Sequence, residues 1–484
     1  MTGLFTAREV RAAEEPVLAA TPEGALMQRA ATGLATVCTR LLGTAYGRRV
    51  VLLVGTGNNG GDALFAGARL ARRGARVDAV LLDPDRAHAA GLAALRSAGG
   101  RLVADAAAAI GRADLVVDGM LGIGGRGGLR PDAAGLARLA ASSAALTVAV
   151  DVPSGVDADT GAVDGVAFPA MHTVTFGAVK PGLVVGEGRA YAGEVHLVDI
   201  GLDLPAARAF RLTDADVAAR LPLPSAGDDK YSQGVVGVVA GSATYPGAAV
   251  LCTGAALRTR PGLVRYAGTA ADGVRAAWPE AIVTAGRPSD AGRVQAWVVG
   301  PGMGTDDDAR SVLAEVLATD LPVVVDADAL TVLAREQDLV RGRSAPTLLT
   351  PHDREFERFG AEVGADRIGA ARRLAADLGC SVLLKGDATV VAGADGTAFV
   401  NATGTSWLAT AGTGDVLSGI AGAVLATGMD PTSAGAAAAH VHGRTGQLAA
   451  EHGPLIAGDL VRRLPEAIGR VRGLPPSGLG HSGT

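Results

Sequence analysis

Short apolar runs separated by alanine-rich stretches of helical spacing recur along almost the whole chain. In the first half, residues 6–45 read as helical, with Leu26-Met-Gln-Arg-Ala-Ala31 as an amphipathic turn, Arg49–Val54 as a buried strand and residues 62–73 as a helix. Residues 77–82, 115–117, 146–150 and 171–176 read as further strands. Apolar on both faces and divided by helices, they predict a mostly parallel sheet covered on both sides, with Rossmann-like, three-layer topology.

From about residue 203 to 229 the text becomes short, polar and proline-bearing, as in Leu221-Pro-Leu-Pro-Ser-Ala-Gly-Asp-Asp229. Strand and helix then alternate afresh from Gly234-Val-Val-Gly-Val-Val-Ala240, with strands at 296–300, 322–326, 346–349 and 381–385. The expectation is α/β throughout: one domain over 1–207, a second over 208–472 and a disordered tail over 473–484. A chain of 484 residues is too long for one ordinary core and comfortable for two.

Charge and composition narrow the function. The formal net charge of −5 gives no general affinity for nucleic acid or anionic membrane. Cys38, Cys252 and Cys380 lie far apart in apolar surroundings and read as buried thiols. The N-terminal residues lack a basic segment followed by an apolar one, and no apolar run is long enough to span a membrane, so a cytoplasmic enzyme is expected. Alanine-rich helices suit a core or a subunit interface, and a homo-oligomer is expected. Arginine is abundant while Lys180, Lys230 and Lys385 are the only lysines, which makes their positions candidates for point charges that arginine cannot replace.

Two glycine-aspartate signatures carry the chemistry. Gly55-Thr-Gly-Asn-Asn-Gly-Gly-Asp62 follows a strand and opens a helix, presenting backbone N–H groups, two amide side chains and a carboxylate where a phosphate can bind. It is no Walker loop, and its Gly-x-Gly-x-x-Gly spacing is a weak dinucleotide signal; a tight turn in which Asn58 and Asn59 tolerate left-handed geometry is the competing account. Two later strands end in Asp118-Gly-Met-Leu-Gly122-Ile-Gly-Gly-Arg-Gly-Gly128 and Asp151-Val-Pro-Ser154-Gly-Val-Asp157. At the carboxyl edge of an open sheet, Asn59, Asp118, Asp151 and Ser154 converge on one cleft, an oxygen set suited to an alkali cation or magnesium. Turn capping accounts for Asp118, Asp151 and Ser154 equally simply.

These motifs, with Thr175-Phe-Gly-Ala-Val-Lys-Pro-Gly182, occur in the order found in NAD(P)H-hydrate epimerases, which residues 5–205 resemble. The resemblance implies that Asn58, Asn59, Gly60, Gly61 and Asp62, the loop Gly122, Ile123, Gly124, Gly125, Arg126, Gly127 and Gly128, and Asp151 contact hydrated NADH or NADPH. It implies that Asn59, Asp118 and Ser154 hold a potassium ion. The hydrate carries a hydroxyl beside the ring nitrogen, so it can lose that group to a nitrogen-stabilised cation and regain water on either face; Asp151 is the expected proton shuttle. Ala63 stands where the family has another glycine.

In the second half, Ala411-Gly-Thr-Gly-Asp415 opens a helix as a nest of N–H groups edged by a carboxylate, suited to a transferring phosphoryl group beside a base. With Tyr245-Pro-Gly-Ala-Ala249, Gly300-Pro-Gly-Met-Gly304, Asp326-Ala-Asp328, Thr350-Pro-His352 and Lys385-Gly, it resembles the ribokinase-like ADP- or ATP-dependent NAD(P)H-hydrate dehydratases over about 211–470. The resemblance implies that Ala249, Gly304, His352 and Asp415 touch the hydrate and that Lys385, Gly386, Asp387, Ala388, Thr389, Gly412, Thr413 and Gly414 touch an adenine nucleotide with Mg2+. Such an enzyme phosphorylates the ring hydroxyl of the S form and expels phosphate; Asp415 would be its base.

Departures from the family are Asp229-Lys-Tyr for His-Lys, Asp353-Arg for Pro-Gly, Trp407 at a small position and Arg260-Pro-Gly for Gly-Ala-Gly. Other accounts of these residues are a helix N-cap for Asp415, a loop histidine for His352, a solvated strand end for Lys385 and turn stabilisation for Asp326 and Asp328. His440 and His442, two apart on a helix, do not share a face. The alternative reading of the whole is a vitamin or sugar-alcohol kinase carrying an N-terminal binding module, and it predicts that phosphate stays on the product.

Overall fold

The computed structural model describes residues 1–125, 127–221, 225–260 and 262–474. Arg126 and most of the expected tail, 475–484, lie outside the described residues. The chain forms two compact units, Gly3–Ala207 and a second beginning at Arg208, to which Met1–Thr2 also belong.

The first unit is built on β1 (Arg49–Val54), β2 (Arg76–Leu81), β3 (Arg101–Leu102), β4 (Leu115–Gly119), β5 (Leu146–Val150), β6 (His172–Phe176) and β7 (Glu194–Val198). They form one sheet in the order β3-β2-β1-β4-β5-β6-β7, parallel throughout. The period-2 geometry of β1 sends Val50, Leu52 and Val54 into one apolar cluster and Val51 and Leu53 into another, so both faces are covered.

Two sequence expectations shift. The helical stretch 6–45 is two helices, α1 (Ala7–Ala20) and α2 (Ala25–Leu41), broken at Thr21-Pro-Glu-Gly24, where Gly24 has φ 79°. The helix after β1, α3 (Asn58–Arg72), starts inside the glycine loop instead of after it. Gly60 permits this, because a Cβ there would lie 2.3 Å from the Gly55 carbonyl oxygen. β3 and β7 escape an apolar-run search because β3 is two residues long and β7 is only partly buried.

The second unit has β8 (Ala209–Arg211), β9 (Val235–Val239), β10 (Leu263–Ala267), β11 (Ile282–Thr284), β12 (Ala296–Val299), β13 (Val323–Val325), β14 (Thr347–Leu349), β15 (Ser381–Leu384), β16 (Thr389–Ala392) and β17 (Ala398–Asn401). Their order is β8-β17-β16-β15-β14-β13-β12-β9-β10-β11, parallel except where β16 runs against β15 and β17. Helices α4 (Pro246–Thr259), α5 (Thr413–Leu425), α6 (Pro431–Ala449) and α7 (Ala457–Val471) pack with one face of this sheet into a single large cluster. Small residues let α5 and α4 approach closely: a Cβ on Gly419 would lie 2.3 Å from the Cys252 carbonyl oxygen. The three cysteines are buried and free, and burial pushes the Cys38 and Cys380 thiols up to about 12.

Candidate active sites

In the first unit the loops after β1, β4 and β5 open at the same edge of the sheet, and their residues, with α1 and α2, enclose a cavity of about 820 Å³. Asn58, Asn59, Asp62, Gly122, Ile123, Gly124, Gly125 and Asp151 line it, together with Glu14, Met27 and Lys180. Gly60, Gly61, Gly127 and Gly128 are not among its walls. Gly61 faces Met27 and His88, and Gly128 abuts the Asp164 carbonyl.

Beneath this cavity lies an all-oxygen cluster. Asp118 is fully buried and accepts from the Met120 N–H at 3.1 Å, the Ser154 N–H at 2.8 Å and the Ser154 hydroxyl at 2.6 Å. Ser154 Oγ in turn accepts from the Leu121 N–H at 2.8 Å, and Asn59 Nδ2 donates to the Leu121 carbonyl at 2.8 Å. These bonds bring the three expected potassium ligands around one residue, Leu121. Burial pushes the Asp118 carboxyl up to about 6, against the hydrogen bonds from Ser154 and Met120.

Asp151 follows β5 with φ 67°, a left-handed conformation that costs a non-glycine residue about 1–2 kcal/mol and marks a constrained position. Its Oδ1 accepts from Lys180 Nζ at 2.6 Å, Thr175 Oγ1 at 3.2 Å and the Phe176 N–H at 3.3 Å. Lys180 is 1% exposed. Asp62 differs: it is buried, and its Oδ1 has no hydrogen-bond partner. Burial first, then Asp151 and Glu14, push its carboxyl well above the usual carboxylate range.

The second unit holds a cavity of about 1050 Å³ lined by Lys385, Gly386, Asp387, Thr389, Thr413 and Gly414, and also by His352 and His442. Ala388 is buried, and neither it nor Gly412, Ala249, Gly304 and Asp415 forms part of this wall. Gly412 takes φ 85° as the cap of α5, facing Leu251 and Ala457, with Asp415 Oδ2 behind it. His352, expected on the hydrate side, therefore shares a cavity with the nucleotide set. Its ring caps the helix Asp353–Glu357 by accepting from the Glu355 N–H at 3.2 Å.

Lys385 Nζ donates to Asp326 Oδ1 at 2.8 Å and lies 3.6 Å from Glu355 Oε2. Ser418 Oγ donates to Asp326 Oδ2 at 2.6 Å. Burial alone would raise Asp326, yet Lys385, Ser418 and Thr350 hold it below the usual range. Asp328 accepts from the Gly304 N–H at 3.0 Å and fixes that loop. Asp415 is pushed up to about 7, chiefly by burial and then by Asp326 and Asp328, with Lys385 pulling the other way.

The comparisons decide the family. The description "YjeF-related protein N-terminus" matches residues 23–182, and "NAD(P)H-hydrate dehydratase" matches residues 236–468. The bifunctional NAD(P)H-hydrate repair enzyme Nnr of Mycobacterium tuberculosis H37Rv is 53% identical over 90% of this chain and 92% of its own length. That of Mycobacterium leprae is 52% identical over 98% and 99%. The chain belongs to the bifunctional NAD(P)H-hydrate repair enzymes. A ribokinase-like superfamily protein from Enterococcus faecalis V583, 24% identical over 56% of this chain and 98% of its own with TM-score 0.50, shares the fold of the second unit.

Within this family of repair enzymes, the chain's departures divide: Asp353 and Arg354 line the larger cavity, whereas Ala63 and Trp407 lie off the cavity walls. Ala63 is fully buried against β4, where a Cβ on Gly119 would lie 2.6 Å from its own Cβ. Trp407 is half exposed and is not part of the wall of the larger cavity. Three contributors were absent from the sequence-based site set. Lys180 was noted as one of few lysines, and the pairing with Asp151 shows its use. Glu14 sits on an amphipathic helix with nothing local to distinguish it. His442 Nε2 donates to the Thr413 carbonyl at 3.0 Å, with burial pushing its ring down to about 4, while His440 turns to Asp214 at 2.6 Å. Among the described residues, His172, Glu194 and His196 also gather within ligand distance, across β6 and β7. Those imidazoles already serve each other at 3.1 Å and Arg40 at 3.3 Å.

Proposed function

We propose that the first unit interconverts the R and S hydrates of NADH and NADPH and that the second removes water from the S form with ADP or ATP, restoring the reduced dinucleotide. The observation that carries this reading is that each unit of a repair-enzyme chain has its own cavity, lined in the first by Asn58, Asn59 and Asp62 of its glycine-aspartate motif and in the second by Thr413 and Gly414 of the other. Asn58, Asn59, Asp62 and the loop Gly122–Gly125 bind the hydrate in the first, and Asp151 moves the proton as water leaves and returns. Lys180 positions Asp151 through their ion pair.

The oxygen set of Asn59, Asp118, Ser154 and the Leu121 carbonyl fits a potassium ion: it holds one carboxylate, the rest neutral oxygens, and Asp118 has no described cationic partner. The ion would supply positive charge to a buried carboxyl and tie down the loop after β4.

In the second cavity Lys385, Gly386, Asp387, Thr389, Thr413 and Gly414 hold the nucleotide, and Mg2+ enters with its phosphates. Asp415 takes the proton of the ring hydroxyl, and the amides at the start of α5 stabilise charge on the phosphoryl oxygens. Ala249 and Gly304 shape the hydrate side.

The test is an absorbance assay at the reduced-nicotinamide band with a mixture of both epimers, magnesium and ADP or ATP. Full recovery of the reduced cofactor from both epimers, lost in Asp415→Asn, supports two sites. Recovery halting at one epimer's share removes the epimerase, and phosphate retained on the product turns the second unit into a kinase.

A further inference from the structure

Four carboxyl groups line the first cavity, those of Glu14, Glu23, Asp62 and Asp151; Glu23 is exposed, and the other three differ in what balances them. An ammonium has three N–H groups. Lys180 commits its own to Asp151 Oδ1 at 2.6 Å, Thr175 Oγ1 at 3.1 Å and the Phe176 carbonyl at 2.9 Å. Asp151 is thereby ion-paired, and every described protein donor to it reaches Oδ1. For Glu14, burial and Asp151 push the carboxyl up while Lys180 and Arg11 pull it back. Among the described residues Asp62 has no such counterweight. It is 8% exposed, its Oδ1 has no partner, and it lies past the first turn of α3, beyond the unpaired amides that favour an anion. A buried carboxyl with neither donor nor cation is most stable carrying its proton.

We propose that Asp62 is the acid of the epimerase, giving its proton to the departing ring hydroxyl while Asp151 accepts one from the returning water. This rests on the reading of the cavity as an epimerase site. The Asp62 proton passes to the hydroxyl oxygen, the C–O bond breaks with its electron pair leaving on water, and the ring nitrogen lone pair forms a C=N bond. Water then adds to the same carbon, the C=N pair returns to nitrogen, and the surplus proton goes to Asp151. One proton enters and one leaves, with no change of oxidation state. A turnover in the reverse direction, or exchange with solvent, resets both groups. Among the described residues, the charged and titratable groups that face the cavity beside Asp62 are Arg11, Glu14, Glu23, His88, Asp151 and Lys180.

The experiment uses the full chain without nucleotide, so that the second unit is silent, and follows conversion of separated R and S hydrates by chromatography against an enzyme-free blank. Asp62→Asn is expected to lower kcat by roughly 10²- to 10⁴-fold with KM nearly unchanged, and to lose the alkaline fall of kcat/KM seen in the wild type. Glu14→Gln, which removes a like-charged neighbour of Asp62, is expected to leave the alkaline fall in place. Asp62→Asn activity within about threefold of wild type, a loss confined to KM, or an alkaline fall abolished by Glu14→Gln instead overturns the assignment. So does a wild-type profile that stays flat to about pH 9, a readout that needs no variant. A wild type that leaves both hydrates unconverted overturns the epimerase reading along with it, whereas an active wild type beside an unimpaired Asp62→Asn overturns the assignment alone.

Discussion

Each unit sets a carboxylate tied to a lysine beside a carboxyl that no cation among the described residues holds, and the two units use the pair in opposite ways. In the first unit the tied group, Asp151 with Lys180, is the one given the proton-accepting role, and the untied Asp62 sits beyond the first turn of its helix. In the second, the tied group is Asp326 with Lys385, wholly inside the fold, and the untied Asp415 lies in the first turn of α5. The free amides of that turn favour an anion, which is why a carboxyl pushed up to about 7 can still serve as a base near neutral pH. Position along a helix thus separates a group suited to giving a proton from one suited to taking it.

The comparison breaks most sharply at Asp415. Asp415→Asn is expected to cut dehydration by about 10²- to 10⁴-fold, while interconversion of the two hydrates continues at the wild-type rate. Dehydration by the wild type should rise with pH through about 7 as Asp415 loses its proton. Rate measurements on each reaction across pH check both statements, and a matching loss of epimerisation would mean that the sites are not independent.

The lysines sharpen it next. Lys180 is 1% exposed and Asp151 depends on it, so Lys180→Met should destabilise the first unit by about 3–5 kcal/mol in denaturant unfolding. Adding Asp151→Asn should recover much of that loss. Lys385→Met should cost less, because the lysine is 20% exposed and the Ser418 hydroxyl still serves Asp326. Equal costs would show that the two pairs are not distinguished by burial.

A smaller effect follows from linkage. The folded state raises Asp415 from its ordinary 3.8 to about 7, so folding favours the protonated form. That contribution is fully present below about pH 4 and is lost as pH rises through about 7. Asp415→Asn, which cannot ionise, should therefore match the wild type in acid and exceed it at pH 8 by up to about 4 kcal/mol, read as a rise of several degrees in the unfolding midpoint. A variant less stable than the wild type at pH 8 would mean that the charge of Asp415 is compensated.

The sheets were legible because buried parallel strands are continuous apolar runs, and the motifs were legible because backbone approach to an anion demands glycine. β3 and β7 were not, since a two-residue strand and a partly buried one leave no such run, and in the second unit the short strands β8, β10, β11, β16 and β17 were not singled out either. Asn59, Asp118 and Ser154 were grouped from strand ends alone, but their meeting around Leu121 is a tertiary fact. So are the balances of charge at Asp62 and Asp151, because Glu14 comes from a helix far away in sequence and Lys180 from the loop after β6. Local pattern reports which groups are present; which of them keeps a proton depends on partners that only the fold supplies.

The finest distinction between the units is at Ala63, the one place where the first motif departs from its family. Because this methyl is fully buried against Gly119 and not in the cavity wall, its effect should be on packing and not on chemistry. Ala63→Gly puts a glycine inside α3 and is expected to cost about 0.5–1 kcal/mol, with epimerisation kinetics unchanged. The converse, Gly119→Ala, would bring two β-carbons to 2.6 Å and set the new methyl 3.1 Å from the Asn59 carbonyl. Since Asn59 also holds the Leu121 carbonyl, that change should reach the site and slow epimerisation, although the residue itself touches no substrate. Denaturant unfolding of both variants beside their epimerisation rates separates the two outcomes. An altered rate in Ala63→Gly would show that the inner face of α3 transmits to the cavity even when its outer face is untouched.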